Sequence, residues 1–212
     1  MEYKFKDRSR RMPGWDYSGK GVYFITIVTQ NRECVLGEII DGKMYLSDFG
    51  NIVKGELEKS FDIRKELTLD EYVIMPNHIH MIVILKNRLS GVGAHGQFHV
   101  GTHGRASLQD NGRAPLRGST INGQSKSPMP QRKPRSISSF VAEFKSGVTN
   151  AIDNFIDENN LKIPKYNRDN HFFQPNYNDH IIRDKKEYFK IKNYIFSNPK
   201  NWNEDDLIND EG

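Results

Sequence analysis

Cysteine is all but missing from this 212-residue chain. Cys34 is its single representative, which excludes a disulfide framework and any cysteine-built zinc module and suits a reducing compartment. Long apolar runs are missing too. Nothing approaches the roughly 18 residues that a membrane-spanning helix needs, so no membrane association is expected. The stretch from Met1 to Gly14 is basic but lacks the apolar core of a secretion signal, and the expected location is the cytoplasm. Apolar residues make up 36% and charged residues 27%, the balance of a soluble globular protein. The length suits one well-cored domain, with or without an appendage, and is too short for a multidomain machine.

Glycine and proline are sparse except in one place. Residues 90–136 hold eight of the 17 glycines, four of the nine prolines and three of the seven histidines. Seven Lys or Arg residues there face one acid, Asp110, so the segment carries +6 of a chain whose net charge is +4. The remainder is −2, and five of its acids (Glu204, Asp205, Asp206, Asp210, Glu211) follow Lys200, leaving +3 for the expected folded part. The segment also repeats weakly: Val92-Gly93-Ala94-His95-Gly96 returns as Val100-Gly101-Thr102-His103-Gly104. With so little apolar surface to offset the entropy of ordering, it is expected to be a flexible basic insert, and its histidines lack the rigid frame of a metal site. The expected organisation is a basic arm over 1–20, one domain over 21–200 interrupted by the 90–136 insert, and an acidic tail over 201–212.

Hydrophobic periodicity outlines the domain. Gly21 to Thr29 is rich in β-branched and aromatic residues and predicts a central strand. Cys34 to Ile40 and Lys43 to Leu46 flank Asp41-Gly42, a two-residue hairpin signal. Ser47 or Asp48 caps a helix running to about Phe61. Leu67 to Met75 and His78 to Leu85 predict two further strands around a Pro76-Asn77 turn. Ser136 or Ser138 caps a helix with Phe140, Phe144 and Val148 on one face. A last helix starts near Asp184, carries Tyr188, Ile191 and Ile195 on one stripe, and stops before Pro199. Strands early and helices late predict an α+β fold, ferredoxin-like or RRM-like, with an antiparallel sheet and its helices packed on one side.

Strand alternation sends His78 and His80 to one face while Ile79, Met81 and Val83 go to the other. Two imidazoles side by side on a rigid strand are oriented to share a metal ion. For a bare His-x-His pair, however, two half-buried histidines bonded to nearby carbonyls are the commoner outcome. The wider context is more specific. Met75-Pro76-Asn77-His78-Ile79-His80 resembles the histidine–hydrophobic–histidine (HUH) motif of single-tyrosine transposases. Asp16-Tyr17-Ser18 leading into Tyr23-Phe24-Ile25-Thr26, then Thr29-Gln30-Asn31-Arg32, resembles the N-terminal strand of REP-associated tyrosine transposases. Asn178-Asp179-His180-Ile181-Ile182-Arg183-Asp184 and Tyr194-Ile195-Phe196-Ser197-Asn198-Pro199 are similar to the C-terminal signature of that group. The resemblance runs from about Arg10 to Trp202, broken by the insert.

That resemblance implies an HUH endonuclease fold and metal-dependent cleavage and rejoining of single-stranded DNA at REP-type hairpins, through a 5′-phosphotyrosine and a free 3′-OH. Carried over by motif, the nucleophile is Tyr194. Tyr194 and Asn198 stand four apart on one helix face, so the Asn198 amide is the candidate third ligand beside His78 and His80. Insertion-sequence relatives often carry glutamine at that position. Two imidazoles and an amide leave open positions for phosphate oxygens and suit Mg²⁺ or Mn²⁺. A phenol titrates near 10 and needs help to attack at neutral pH. Lys190, one turn earlier, is a candidate support, or else a solvated helix lysine. His180 is a second candidate support with an equally good structural role, and Asp184 is a better helix cap than Asp179. Tyr177 and Tyr188 are the competing tyrosines.

Arg8, Arg10 and Arg11 beside Trp15 and Tyr17 form a candidate surface for phosphate contacts and base stacking on unpaired DNA. The insert is a candidate electrostatic tether. Two other functions remain open at this level: a hairpin-binding protein that does not cleave, and a metal phosphoesterase that uses water. Whether one chain or a homodimer acts is also open.

Overall fold

A computed structural model describes residues 19–86 and 135–204. The expected basic arm with Arg8, Arg10, Arg11, Trp15 and Tyr17, nearly all of the 90–136 insert, and the tail beyond residue 204 lie outside the described residues. Six strands and three helices follow in chain order: β1 (Gly21–Val28), β2 (Gly37–Ile40), β3 (Lys43–Leu46), α1 (Asp48–Ile63), β4 (Leu67–Ile74), β5 (His78–Leu85), α2 (Ile137–Glu158), β6 (Asn178–Ile182) and α3 (Lys185–Ser197). A 3-10 segment, Asn198–Glu204, continues from α3.

Four strands form one sheet in the order β4-β5-β1-β6, every neighbouring pair antiparallel. Leaving aside the separate β2–β3 hairpin, the chain runs strand, helix, strand, strand, helix, strand. That is the split βαβ arrangement of the expected ferredoxin-like α+β fold. The hairpin turns at Asp41 and Gly42, both at positive φ (51° and 70°), the backbone that a two-residue primed turn requires. Its first strand begins at Gly37 rather than Cys34, because the chain through Val35 and Leu36 is tied to the β4–β5 turn instead: the Leu36 amide donates to the Pro76 carbonyl at 3.0 Å.

The sheet is buried on both faces. On one, Tyr23, Ile25 and Ile27 of β1 and Ile79, Met81 and Val83 of β5 meet Val53 and Leu57 of α1 and Phe140, Phe144, Val148 and Ile152 of α2. The caps are those expected. Ser47 accepts from the Gly50 amide at 3.1 Å, and Ser136 with Ser139 forms a reciprocal capping box at the start of α2, satisfying donors that a helix start leaves open.

The other face departs from a one-sided helical layer. Phe24, Ile82 and Ile182 pack there against Ile191 and Ile195 of α3, so the last helix lies opposite the first two. β6 also has no counterpart among the expected strands. Its polar start (Asn178, Asp179, His180) is poor strand composition, and only pairing with β1 (Ile181 opposite Tyr23, His180 opposite Phe24) makes it one. No described helix is long and apolar enough to cross a membrane.

Because Phe144 is 2% exposed and bridges α2 to the larger core, Phe144→Ala should cost about 3–5 kcal/mol. Urea denaturation followed by circular dichroism measures that loss.

Candidate active site

Register decides what the site contains. On β5, His78 and His80 point away from the larger core, and both are fully buried (0% exposed). Their rings lie 4.4 Å apart, centroid to centroid. The start of β5 is held by the turn before it. The Thr29 amide and hydroxyl both donate to the Asn77 carbonyl at 2.9 Å, and the Met75 amide donates to the His78 carbonyl at 2.8 Å. The predicted Pro76-Asn77 turn therefore sets where the first histidine stands.

Each imidazole is oriented through Nδ1. Asn77 Oδ1 lies 2.7 Å from His78 Nδ1; as an acceptor, it fixes the tautomer with the proton on Nδ1 and the lone pair on Nε2. Thr26, directly opposite His80 across the β1–β5 ladder, places its hydroxyl 2.8 Å from His80 Nδ1. Partners of this kind on the outer nitrogen are what orient metal-binding histidines. Burial drives the imidazoles to the neutral form. It holds His80 down to about 3, and His78 well below the usual histidine range, with the neighbouring His80 charge as the lesser cause.

α3 brings the tyrosine to this pair. The Tyr194 hydroxyl is 3.2 Å from His80 Nε2, and Phe24 packs against both, its ring 5.2 Å from His80 and edge-on to Tyr194 at 6.2 Å. Asn198, one turn further, caps the C-terminal end of α3 and is 3% exposed. Beyond it, the Trp202 ring centroid is 6.1 Å from that of His78.

The helix is pinned at both flanks of its N-terminal half. A β-bulge between Leu69 and Glu71 frees Asp70 to accept from Tyr188 at 2.6 Å and from Lys192 at 3.3 Å. On the other side Glu187 bonds His180 Nε2 at 2.7 Å and accepts from the Arg183 amide at 2.9 Å. Asp184 is the N-cap, accepting from the Glu187 amide at 2.9 Å.

The sequence-predicted residues thus divide. His78, His80 and Tyr194 come together in one cluster, the histidines fully and Tyr194 partly buried, and Asn198 follows on the same helix. His180 ties β6 to α3 through Glu187. Lys190 is exposed, one turn before Tyr194. The competing tyrosines are engaged elsewhere: Tyr177 packs on the larger core with its hydroxyl 3.3 Å from Ser138. Tyr188 is bound to Asp70, and burial followed by that carboxylate raises its pKa, which makes it a poor nucleophile. Sequence reasoning missed Thr26, Phe24, Asp70 and Trp202. A signal for Thr26 exists, since strand alternation puts it on the face of Phe24 and opposite to that of Ile25, but its pairing with His80 is a matter of register.

Among the described residues, no three His, Cys, Asp or Glu side chains cluster as a metal cage. A metal here would need a mixed donor set, and the chemistry of the donors fits one. A neutral imidazole with Nδ1 engaged offers Nε2 for coordination, and the buried amide of Asn198, on the same helix as Tyr194, could complete an uncharged donor set.

No protein-family model matches the sequence. A protein of Haemophilus influenzae, described as an uncharacterized protein, is 33% identical over 203 residues, covering 96% of this chain and 93% of that one. Among solved structures, the chain is similar to a REP-associated tyrosine transposase bound to a REP hairpin, at 18% identity and a TM-score of 0.47, over 95% of this chain and 74% of that one. It is also similar to a candidate transposase of Deinococcus radiodurans R1, at 15% identity and a TM-score of 0.42, over 88% and 95%.

The buried neutral histidines carry a pH dependence. Their folded-state pKa values lie below that of free imidazole, so the unfolded chain binds more protons once the pH drops below about 6.5. Stability of the metal-free protein should be level above that point and fall as the pH drops toward 3, by about 1.4 kcal/mol per pH unit for each histidine. Urea midpoints at pH 7 and pH 5 measure it, and His80→Gln should flatten the slope.

Proposed function

The chain belongs to one family with the Haemophilus influenzae protein, and we propose that it is a metal-dependent, single-tyrosine transposase that cleaves and rejoins single-stranded DNA at REP-type hairpins. The observation that carries this reading is the Tyr194 hydroxyl 3.2 Å from Nε2 of His80, with His78 alongside. A nucleophile and a metal-binding pair meet at one point, on the face of the sheet that bears α3. The hairpin substrate rests on the sequence motifs alone.

His78, His80 and Asn198 would hold Mg²⁺ or Mn²⁺. When bound, that ion supplies charge that polarises the scissile phosphate and favours its in-line orientation. The chain's own groups do the rest. Thr26 and Asn77 keep the imidazoles turned inward. Ile191 and Ile195 anchor α3 on the sheet, while Asp70 and the His180–Glu187 pair hold its flanks, so that Tyr194 is presented without a large search of conformations. The Tyr194 oxygen attacks phosphorus and loses its proton, the P–O3′ bond breaks, and the released 3′ oxygen takes up a proton. The product is a 5′-phosphotyrosine with a free 3′-OH, and rejoining reverses those steps. Lys190, exposed one turn from Tyr194, is placed to meet the phosphate charge. Tyr194 sits beside the histidines of its own chain, so the proposed site is complete in one copy and a monomer suffices. The cytoplasm, where DNA and reduced Cys34 coexist, is the proposed location.

Arg8, Arg10, Arg11, Trp15 and Tyr17 are proposed to grip the foot of the hairpin. Reversing the charge of the three arginines should weaken hairpin binding and reduce its salt dependence by up to about three in the log–log slope, as read from a salt titration of affinity.

The deciding experiment incubates end-labelled, hairpin-bearing single-stranded DNA with the protein and Mn²⁺, then denatures. Wild-type protein should yield a covalent protein–DNA adduct. Tyr194→Phe should yield none, and His78→Ala with His80→Ala should cut its formation by roughly a thousandfold or more, the scale of losing a principal electrostatic contributor. A gel shift without cleavage would mean a binding protein only. Cleavage without an adduct would mean that water is the nucleophile.

A further inference from the structure

We propose that Trp202 is a stacking platform for an unpaired base next to the phosphate that Tyr194 attacks, so that the site selects single-stranded over paired nucleic acid. This rests on the reading of the site as one that cuts single-stranded DNA. The indole belongs to neither hydrophobic core. It is half-buried, whereas the two histidines beside it are wholly buried. Its ring centroid lies 6.1 Å from His78, with the planes 32° apart; His78 is 4.4 Å from His80, whose Nε2 is 3.2 Å from the Tyr194 hydroxyl. A part-open aromatic surface therefore begins where the buried polar cluster ends.

Placement along the chain strengthens the case. Tyr194, Asn198 and Trp202 follow at intervals of four residues from α3 into the 3-10 segment, whose backbone kinks at Asn201 just before Trp202, so one stretch of chain carries all three. In-line attack needs the phosphate and its flanking sugar fixed together. The histidines and the amide are suited to a cation that meets the phosphate, and they offer nothing to a base. A tryptophan supplies the missing hold, with a broad rigid face and little conformational entropy to lose. Stacking accepts any base but needs that base unpaired and turned out, which a continuous duplex does not offer.

The test uses the full chain with both of its tryptophans and takes the difference between wild-type and Trp202→Phe emission as the signal of Trp202. Its fluorescence should be quenched by a short single-stranded oligonucleotide and far less by the same sequence as a blunt duplex. Trp202→Ala should weaken single-strand affinity about tenfold, and Trp202→Phe much less, in line with the stacking seen for bases on aromatic side chains. Calorimetric Mn²⁺ binding and the thermal unfolding midpoint should be unchanged in both. Absence of quenching, with the Tyr194 adduct still forming on the same oligonucleotide, would refute the platform and leave the proposed reaction standing. Loss of Mn²⁺ binding or of thermal stability in Trp202→Ala, in step with affinity, would make Trp202 a packing residue and overturn the inference. Neither quenching nor adduct would refute both the platform and the reaction.

Discussion

The antiparallel ladder between β1 and β5 is the constraint on which the rest depends. It puts Thr26 opposite His80 and Ile27 opposite Ile79, so one set of pairings serves both faces. Toward α1 and α2 the ladder presents Tyr23, Ile25, Ile27, Ile79, Met81 and Val83 as a continuous apolar surface. Toward α3 it presents the histidines. A slip of one residue would exchange those faces and drive two imidazoles into the core. Burial of the larger core therefore enforces the register that assembles the site, and the polar cluster gains its geometry from apolar packing on the far side of the sheet.

α3 faces a different demand. Its own apolar stripe is short, with Ile191 and Ile195 as the fully buried members, and such a stripe leaves a helix some freedom to slide and roll. Polar contacts remove it. Asp70, exposed to α3 by the β-bulge, holds Tyr188 and Lys192; Glu187 ties the opposite flank to β6 through His180. Individually such half-exposed contacts are weak, but two on opposite flanks oppose rotation about the helix axis. Rotation is the motion that would carry the Tyr194 hydroxyl away from His80. The bulge is thus a positional device in the middle of an otherwise regular strand.

How much of this was legible in the sequence depends on whether the governing interaction is local. Caps are local, and Ser47, Ser136 and Asp184 were all readable from their neighbours. Strand alternation is local as well, so the common face of His78 and His80 followed from their spacing. β6 was not readable, because Asn178, Asp179 and His180 take strand geometry only through β1. The side of the sheet taken by α3 was equally hidden. Phe24, Ile82 and Ile182 look like ordinary strand residues, and nothing in their order says that they form a second core. Thr26 and Asp70 act through partners 54 and 118 residues away. No periodicity signals such pairs, whereas the motif already singled out Tyr194 with the two histidines, and α3 brings its hydroxyl to His80.

The charge distribution gains meaning from this arrangement. Of the net +4, the insert contributes +6 and the remainder −2, while the cluster on the α3 face joins two neutral imidazoles and a phenol. Burial enforces that neutrality, since a protonated histidine there would lose its hydration without compensation. A neutral pair is also the form that can coordinate a cation. Carboxylates in their place would bind a divalent ion more tightly and would repel an anion. Neutral donors avoid that repulsion. An uncharged lining is what the proposed meeting of a cation and a phosphate in one site requires.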